Sequence, residues 1–300
     1  MNLAGRPVPA RRSGQATRAR DARPGRLTVG RTCAGVALAS ATLAPRRRLR
    51  DSGFPATVTS RMRVSQQAAF ILHARSYRET SLLIEAFTRD HGRVGLVARG
   101  VRRERSRLPR GLLQPLQPLL LDWIGQGELA TLTAAEAAGG PLAVQGEALL
   151  AAMYVNELML RLSARQDASP GAFAAYLECL TQLSGGIDLP WTLRRFERDL
   201  LAELGYGLAL AQCADGTPVA VGRDYAYDPD SGPLPWCEPS PFVRVAGAAL
   251  LALERDEPPV TEHLSQLRRM VRAVIRRHLG AELKSWTLVQ RGARSPHPRR

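Results

Sequence analysis

The chain is poor in cysteine, lysine and aromatic residues, and each shortage excludes something. Four cysteines (Cys33, Cys179, Cys213, Cys237) spread over 300 residues with no C-x-x-C spacing exclude a disulfide-dense scaffold and fit a reducing compartment. Aromatic residues make up 5% of the chain, too few for a long row of stacking platforms. Lys284 is the single lysine against 41 arginines; so extreme a bias reads as GC-rich coding, and nothing functional is taken from Arg over Lys. No apolar run approaches the roughly eighteen residues of a membrane span. Also missing are G-x-x-x-x-G-K-[ST], G-x-S-x-G and H-E-x-x-H, and the five histidines stand apart from Asp and Glu in sequence. The residues give no reason to expect an enzyme or a cofactor.

What is present is positive charge, unevenly placed. The formal net charge is +15, of which residues 1–63 hold +12, 89–110 hold +6 and 268–300 hold +9, the remainder being −12. Two basic zones in the folded part can hold a polyanion by counterion release. Residues 1–63 show no sustained helical or strand period and few large apolar side chains, so they read as a disordered basic extension. Alternatives are a transit peptide, a signal-like apolar stretch at 33–44, or an over-extended reading frame with Met62 as the initiator. The strand pattern that sets in a few residues after Met62 favours the over-extended frame.

From Ala68 short apolar runs alternate with turn residues: 68–75, 81–88, 93–100, 117–124 and 128–136. Five short strands within 64–140 predict a small barrel, most economically a five-stranded OB-fold, since closure removes exposed edges. The longest connection, VRRERSRLPRGLLQP (101–115), carries Arg102, Arg103, Arg105, Arg107 and Arg110, with Arg93 and Arg99 on the strand before it. These form a candidate groove for a nucleic-acid backbone, with a bulge at Gly95 left open in the placement of Arg93 and Arg99. Phe70 and Phe87 read as core, and Tyr77 and Trp123 as the candidates for base stacking.

The region 145–287 reads as a helical domain, making the fold class α+β. Helices are expected at 146–164, 169–184, 189–207 and 261–279, marked by Ser169-Pro170, Gly207 and helical apolar spacing. Their stripes run through Leu149, Leu150, Ala152, Met153, Asn156, Leu158 and Leu160, through Phe173, Tyr176, Leu177, Leu180 and Leu183, and through Leu193, Phe196, Leu200, Leu201 and Leu204. Between 208 and 241 a hairpin or irregular loop holds Cys213 and Cys237, too few ligands for structural zinc. On the last helix Arg268, Arg272 and Arg276 flank an apolar face that includes His278, a stripe suited to phosphate, to an acidic peptide or simply to solvent. Residues 288–300 read as a disordered tail.

The ordered stretches FILHARSYRETSLLIEAFTRDHGRVGLVARGVRRERSRL (70–108), LLQPLQPLLLDWIGQGELATLTAAE (112–136), AMYVNELMLRL (152–162), LRRFERDLLAELGYG (193–207) and HLGAELKSW (278–286) resemble the bacterial DNA recombination and repair protein RecO family. The resemblance implies an OB-fold followed by a helical domain with a small zinc-finger-like insertion. It implies binding of single- and double-stranded DNA, annealing of complementary strands, and a mediator role that helps RecA load on gaps. It further implies work with RecR and with the acidic, apolar C-terminal tail of single-stranded DNA-binding protein, in the bacterial cytoplasm at the nucleoid. By position, Arg99, Arg102, Arg103 and Arg110 carry the DNA role, and Arg161, Arg165, Arg268 and Arg272 are candidates for the tail. Gly216 and Ser240 stand where some relatives have further cysteines, so the insertion should lack zinc. Trp286 follows Lys284-Ser285 where a basic residue is common. The rival from another class is an interaction adapter that captures an acidic peptide, with incidental DNA contact.

Overall fold

The computed structural model describes residues 62–104, 106 and 108–286. The expectations for 1–61, Arg105, Arg107 and 287–300 fall outside the described residues. Five strands, β1 (Arg63–Tyr77), β2 (Ser81–Thr88), β3 (Gly92–Ala98), β4 (Leu119–Ile124) and β5 (Ala130–Ala137), close a barrel in the order β1-β2-β3-β5-β4, with β4 returning to β1. Alternation explains the interior: on β4, Leu119, Leu121 and Trp123 are buried while their neighbours are half-exposed. β3 and β5 meet in parallel through two residue pairs, which makes this the weakest seam of the barrel.

Helices α1 (Gly146–Leu162), α2 (Pro170–Ser184), α3 (Leu189–Glu203), α4 (Gly247–Glu254) and α5 (Thr261–Leu279) follow. The Ser169 hydroxyl accepts from the Ala172 N–H at 3.2 Å and the Asp188 carboxylate from the Trp191 N–H at 3.2 Å, so each starts its helix as an N-cap. Gly280, at φ 62°, ends α5. Within the stretch expected to be a hairpin or loop, β6 (Asp224–Asp228) and β7 (Gly232–Pro235) form an antiparallel hairpin, and β8 (Val243–Ala246), just beyond it, pairs with the other edge of β6 to make a three-stranded sheet, β7-β6-β8.

Several face assignments shift. On α1 the buried side is Ala151, Ala152, Tyr154, Val155, Asn156, Leu158 and Met159, leaving Leu149, Leu150 and Met153 exposed; Leu177 of α2 is exposed too. Apolar residues ring these helices too broadly for periodicity to choose a side. On α3, Arg194 and Glu197 are buried while Leu193 is half-exposed. Glu197 pairs with Arg194 and accepts a hydrogen bond from the Tyr154 hydroxyl, which lets both charges leave water. Burial pushes the Glu197 carboxyl upward, against the opposing pull of Arg194 and Tyr154. His278, expected on the apolar side, is exposed and stacks on Tyr206 with ring centroids 4.4 Å apart.

Barrel and helices share a core. Phe70 of β1 and Phe87 of β2 pack against Phe173 and Tyr176 of α2 at centroid distances of 5.2–6.1 Å, and the Tyr176 hydroxyl donates to Asn156 at 2.6 Å. Beside this cluster the segment after α1 lies along β3. The Gln166 N–H donates to the Arg93 carbonyl at 3.0 Å, and Arg93 and Arg165 both pair with Glu85. The glycines of β3 permit this approach: a Cβ on Gly92 would sit 1.9 Å from the Asp167 carbonyl oxygen, and one on Gly95 would sit 2.7 Å from the Arg165 guanidinium and 2.5 Å from the Glu128 carbonyl oxygen of the β4–β5 connection. Gly95 therefore does not make a bulge; β3 runs in unbroken register with β2. Gly95→Val should lower the unfolding free energy by about 1–3 kcal/mol in urea titration. Gly111→Val, where no atom lies within 4 Å, should change it little.

Candidate nucleic-acid interface

The basic loop after β3 is hung on apolar anchors. Val101, Leu108, Leu113 and Leu116 are buried, so the polar positions between them must face outward. The Arg102 N–H donates to the Thr80 carbonyl at 3.0 Å and the Arg103 N–H to the Gly100 carbonyl at 3.0 Å, which fixes the start of the loop against the β1–β2 turn. Arg99, Arg102, Arg103 and Arg110 are exposed and, among the described residues, form no ion pair.

Two further arginines join them. Arg75 lies on the exposed side of β1 opposite Leu83, sharing that side with Tyr77 by two-residue alternation, and Arg78 occupies the turn at φ 53° with its guanidinium 5.3 Å from the Tyr77 ring centroid. Both are exposed and unpaired among the described residues. The signal for Arg75 was present in the alternation His73, Arg75, Tyr77. Arg78 became relevant only once the loop folded onto its turn.

Other expected residues are elsewhere. Arg93 is half-buried, bonded through Nε to the Ser163 carbonyl at 3.1 Å and paired with Glu85, so it holds the barrel to the helices and does not face the basic end. Arg165 shares the same carboxylate. Trp123 is 2% exposed, inside the barrel against His91, and has no face for a base. Tyr77 keeps a half-exposed ring.

The second basic zone surrounds the turn at 284–286. Arg161 and Arg268 are exposed, and Arg272 is half-buried with its guanidinium 4.4 Å from the Trp286 ring centroid. Glu157 of α1 holds the turn by accepting from the Lys284 and Ser285 N–H groups, both at 2.8 Å. Burial alone would raise this carboxyl, but Ser285, Lys284 and the charge of Arg161 outweigh it and leave it below the ordinary 4.5. A depressed carboxyl adds stability that is present above its unfolded value and is lost as pH falls through its folded value. Glu157→Gln should therefore cost no more than about 1 kcal/mol near neutrality, solvent screening of this partly exposed carboxylate included, and that difference should shrink as pH falls below 4.5 and be lost below the folded value, read by denaturation across pH.

Among the described residues no helix is long and apolar enough to cross a membrane, and no group of His, Cys, Asp and Glu is arranged to hold a metal ion. Residues 62–141 match the family model described as Recombination protein O N terminal, and 144–287 the one described as Recombination protein O C terminal. The chain is 46% identical over 230 residues to a DNA repair protein RecO of Ralstonia nicotianae, covering 76% of this chain and 84% of that one. It is 44% identical over 233 residues to the DNA repair protein RecO of Stenotrophomonas maltophilia, covering 76% and 98%. It is 42% identical over 238 residues to that of Xanthomonas oryzae, covering 78% and 99%. With a closed five-stranded barrel leading into a helical region and both family models matched in order, the chain belongs to the RecO family of DNA repair proteins.

Proposed function

We propose that this chain binds single- and double-stranded DNA at the basic end of its barrel, anneals complementary strands and acts as a recombination mediator. The observation that carries this is the group of six exposed arginines, Arg75, Arg78, Arg99, Arg102, Arg103 and Arg110, with no ion-pair partner among the described residues. Uncompensated guanidinium binds phosphate and releases counterions. Complementary strands repel through their backbones; a surface that neutralises phosphates and leaves base edges open lowers that repulsion without any covalent step. Tyr77 can add one stacked base. Family membership further supports work with RecR and, through it, loading of RecA in the cytoplasm at the nucleoid. Reversing Arg102 and Arg103 together to Glu should weaken binding of a labelled single strand about tenfold or more and flatten its log–log salt slope by at least about 1.4. Anisotropy across a salt series reads both, and affinity that ignores salt rejects the proposal.

A second reading, capture of an acidic, apolar peptide such as the tail of single-stranded DNA-binding protein, is favoured by one specific arrangement. Arg272 lies with its guanidinium over the buried ring of Trp286, and the exposed Arg161 of α1 and Arg268 of α5 present cations open to an acidic peptide. Arg165, committed to Glu85, takes no part. Arg161→Glu with Arg268→Glu should abolish binding of a labelled acidic-apolar peptide while leaving DNA affinity within about twofold, and Arg102→Glu with Arg103→Glu should do the converse. Loss of both activities in either variant would merge the two surfaces into one.

A further inference from the structure

The three-stranded sheet carries a cleft that neither basic zone uses. Its volume is about 570 Å³, within the roughly 300–1,000 Å³ of small-molecule pockets, and its walls include Cys213, Asp215, Arg223, Asp224, Tyr225 and Trp236. We infer that this cleft is a second DNA contact, a pocket that takes one unpaired base on the indole of Trp236 with the adjoining phosphate on Arg223. The inference rests on the DNA reading of the barrel and extends it from phosphate contact to base contact.

Three features single out a nucleotide. The indole is flanked by the Arg244 guanidinium, which lies 5.2 Å from the ring centroid while donating through Nε to the Asp224 carboxylate at 2.9 Å, and the backbone that carries it is fixed by the Trp236 amide N–H donating to the Asp224 carbonyl at 3.1 Å. A ring fixed this way stacks at little entropic cost. The cleft's charge is balanced, with the Asp215 and Asp224 carboxylates set against Arg223 and the adjacent Arg244, so it suits a neutral flat ring better than an acidic side chain. Those groups also offer both acceptors and donors, as a base edge requires. Arg223 is exposed and unpaired among the described residues, which leaves it available to phosphate.

The protein supplies its own reporter. Trp123, Trp191 and Trp286 are 2%, 8% and 7% exposed, whereas Trp236 is half-exposed, so quenching of tryptophan emission by a bound base reads Trp236. The experiment titrates the full chain with thymidine 5′-monophosphate and with an oligothymidine strand, following tryptophan emission and, for a labelled strand, anisotropy. Both probes should quench saturably, the quench should disappear in Trp236→Phe, and Trp236→Ala or Arg223→Glu should weaken strand binding by about fivefold or more. Near-ultraviolet circular dichroism confirms that the variants fold, and Trp236→Phe keeps the test open if Trp236→Ala does not. Strand binding with no quench, or a quench that persists in Trp236→Phe, overturns the pocket and leaves the barrel reading standing. Quenching by an acidic-apolar peptide in place of nucleotide overturns it in favour of a protein site. Absence of strand binding defeats the barrel reading, and the monophosphate titration then decides the cleft by itself.

Discussion

The surface field of this protein depends on which positive charges stay uncompensated. The protein has arginines throughout, but many are consumed within the fold: Arg93 and Arg165 by Glu85, Arg89 by Asp90, Arg195 and Arg198 by Asp256, Arg277 by Asp230. The arginines around the β1–β2 turn and the following basic loop escape because Glu79 and Glu104 are the only acidic side chains of 75–79 and 99–104, and each is exposed without an ion-pair partner among the described residues. Their loop is tethered by leucine and valine, so its conformation is set by burial rather than by salt links. A surface built that way keeps its field available to a polyanion. Exposed ion pairs would have spent that field for a stability gain of at most about 1 kcal/mol each.

The placement of those charges depends in turn on the joint between barrel and helices. Phe70 and Phe87 are barrel residues whose side chains point away from the barrel interior and into the helical core, and the two glycines of β3 let the chain after α1 lie against the strand. A barrel tied to its neighbour by aromatic packing, a shared carboxylate and backbone hydrogen bonds cannot turn independently of it. The basic end of the barrel and the basic segment beside α5 are thus held in a fixed mutual arrangement.

Much of this was legible in the sequence, and the failures have a common cause. The five strands, the four long helices and the basic loop follow from local alternation, capping residues and helical period, all of which are properties of neighbours in sequence. Arg93 and Arg99 look alike at that level; only the partner separates them, and Glu85 of the adjacent strand together with the Ser163 carbonyl seventy residues away decides that Arg93 is structural. Trp123 is a stacking candidate at that level, but closure of the barrel by β1 and β5 puts it inside, against His91 from a distant part of the sequence. Arg194 and Glu197 are helix charges that no apolar pattern places inside, and their burial depends on the Tyr154 hydroxyl arriving from α1. In each case the deciding contact is long-range, and a one-dimensional pattern does not contain it.

The scarcity of aromatic rings acquires a meaning in this light. A row of stacked bases on the barrel would hold a single strand firmly but would cover the faces that must pair with an incoming complement. With Trp123 withdrawn into the core and Tyr77 the one half-exposed ring at the basic end among the described residues, the barrel can grip phosphates while most bases stay free. Strand annealing needs that division between charge contacts, which lower repulsion, and base contacts, which compete with pairing. An isolated stacking site in the three-stranded sheet is compatible with it, because one captured base fixes the direction of a strand and withholds a single position from pairing. Under the proposed annealing role, the sparse and separated rings and the unpaired arginines answer to the same requirement.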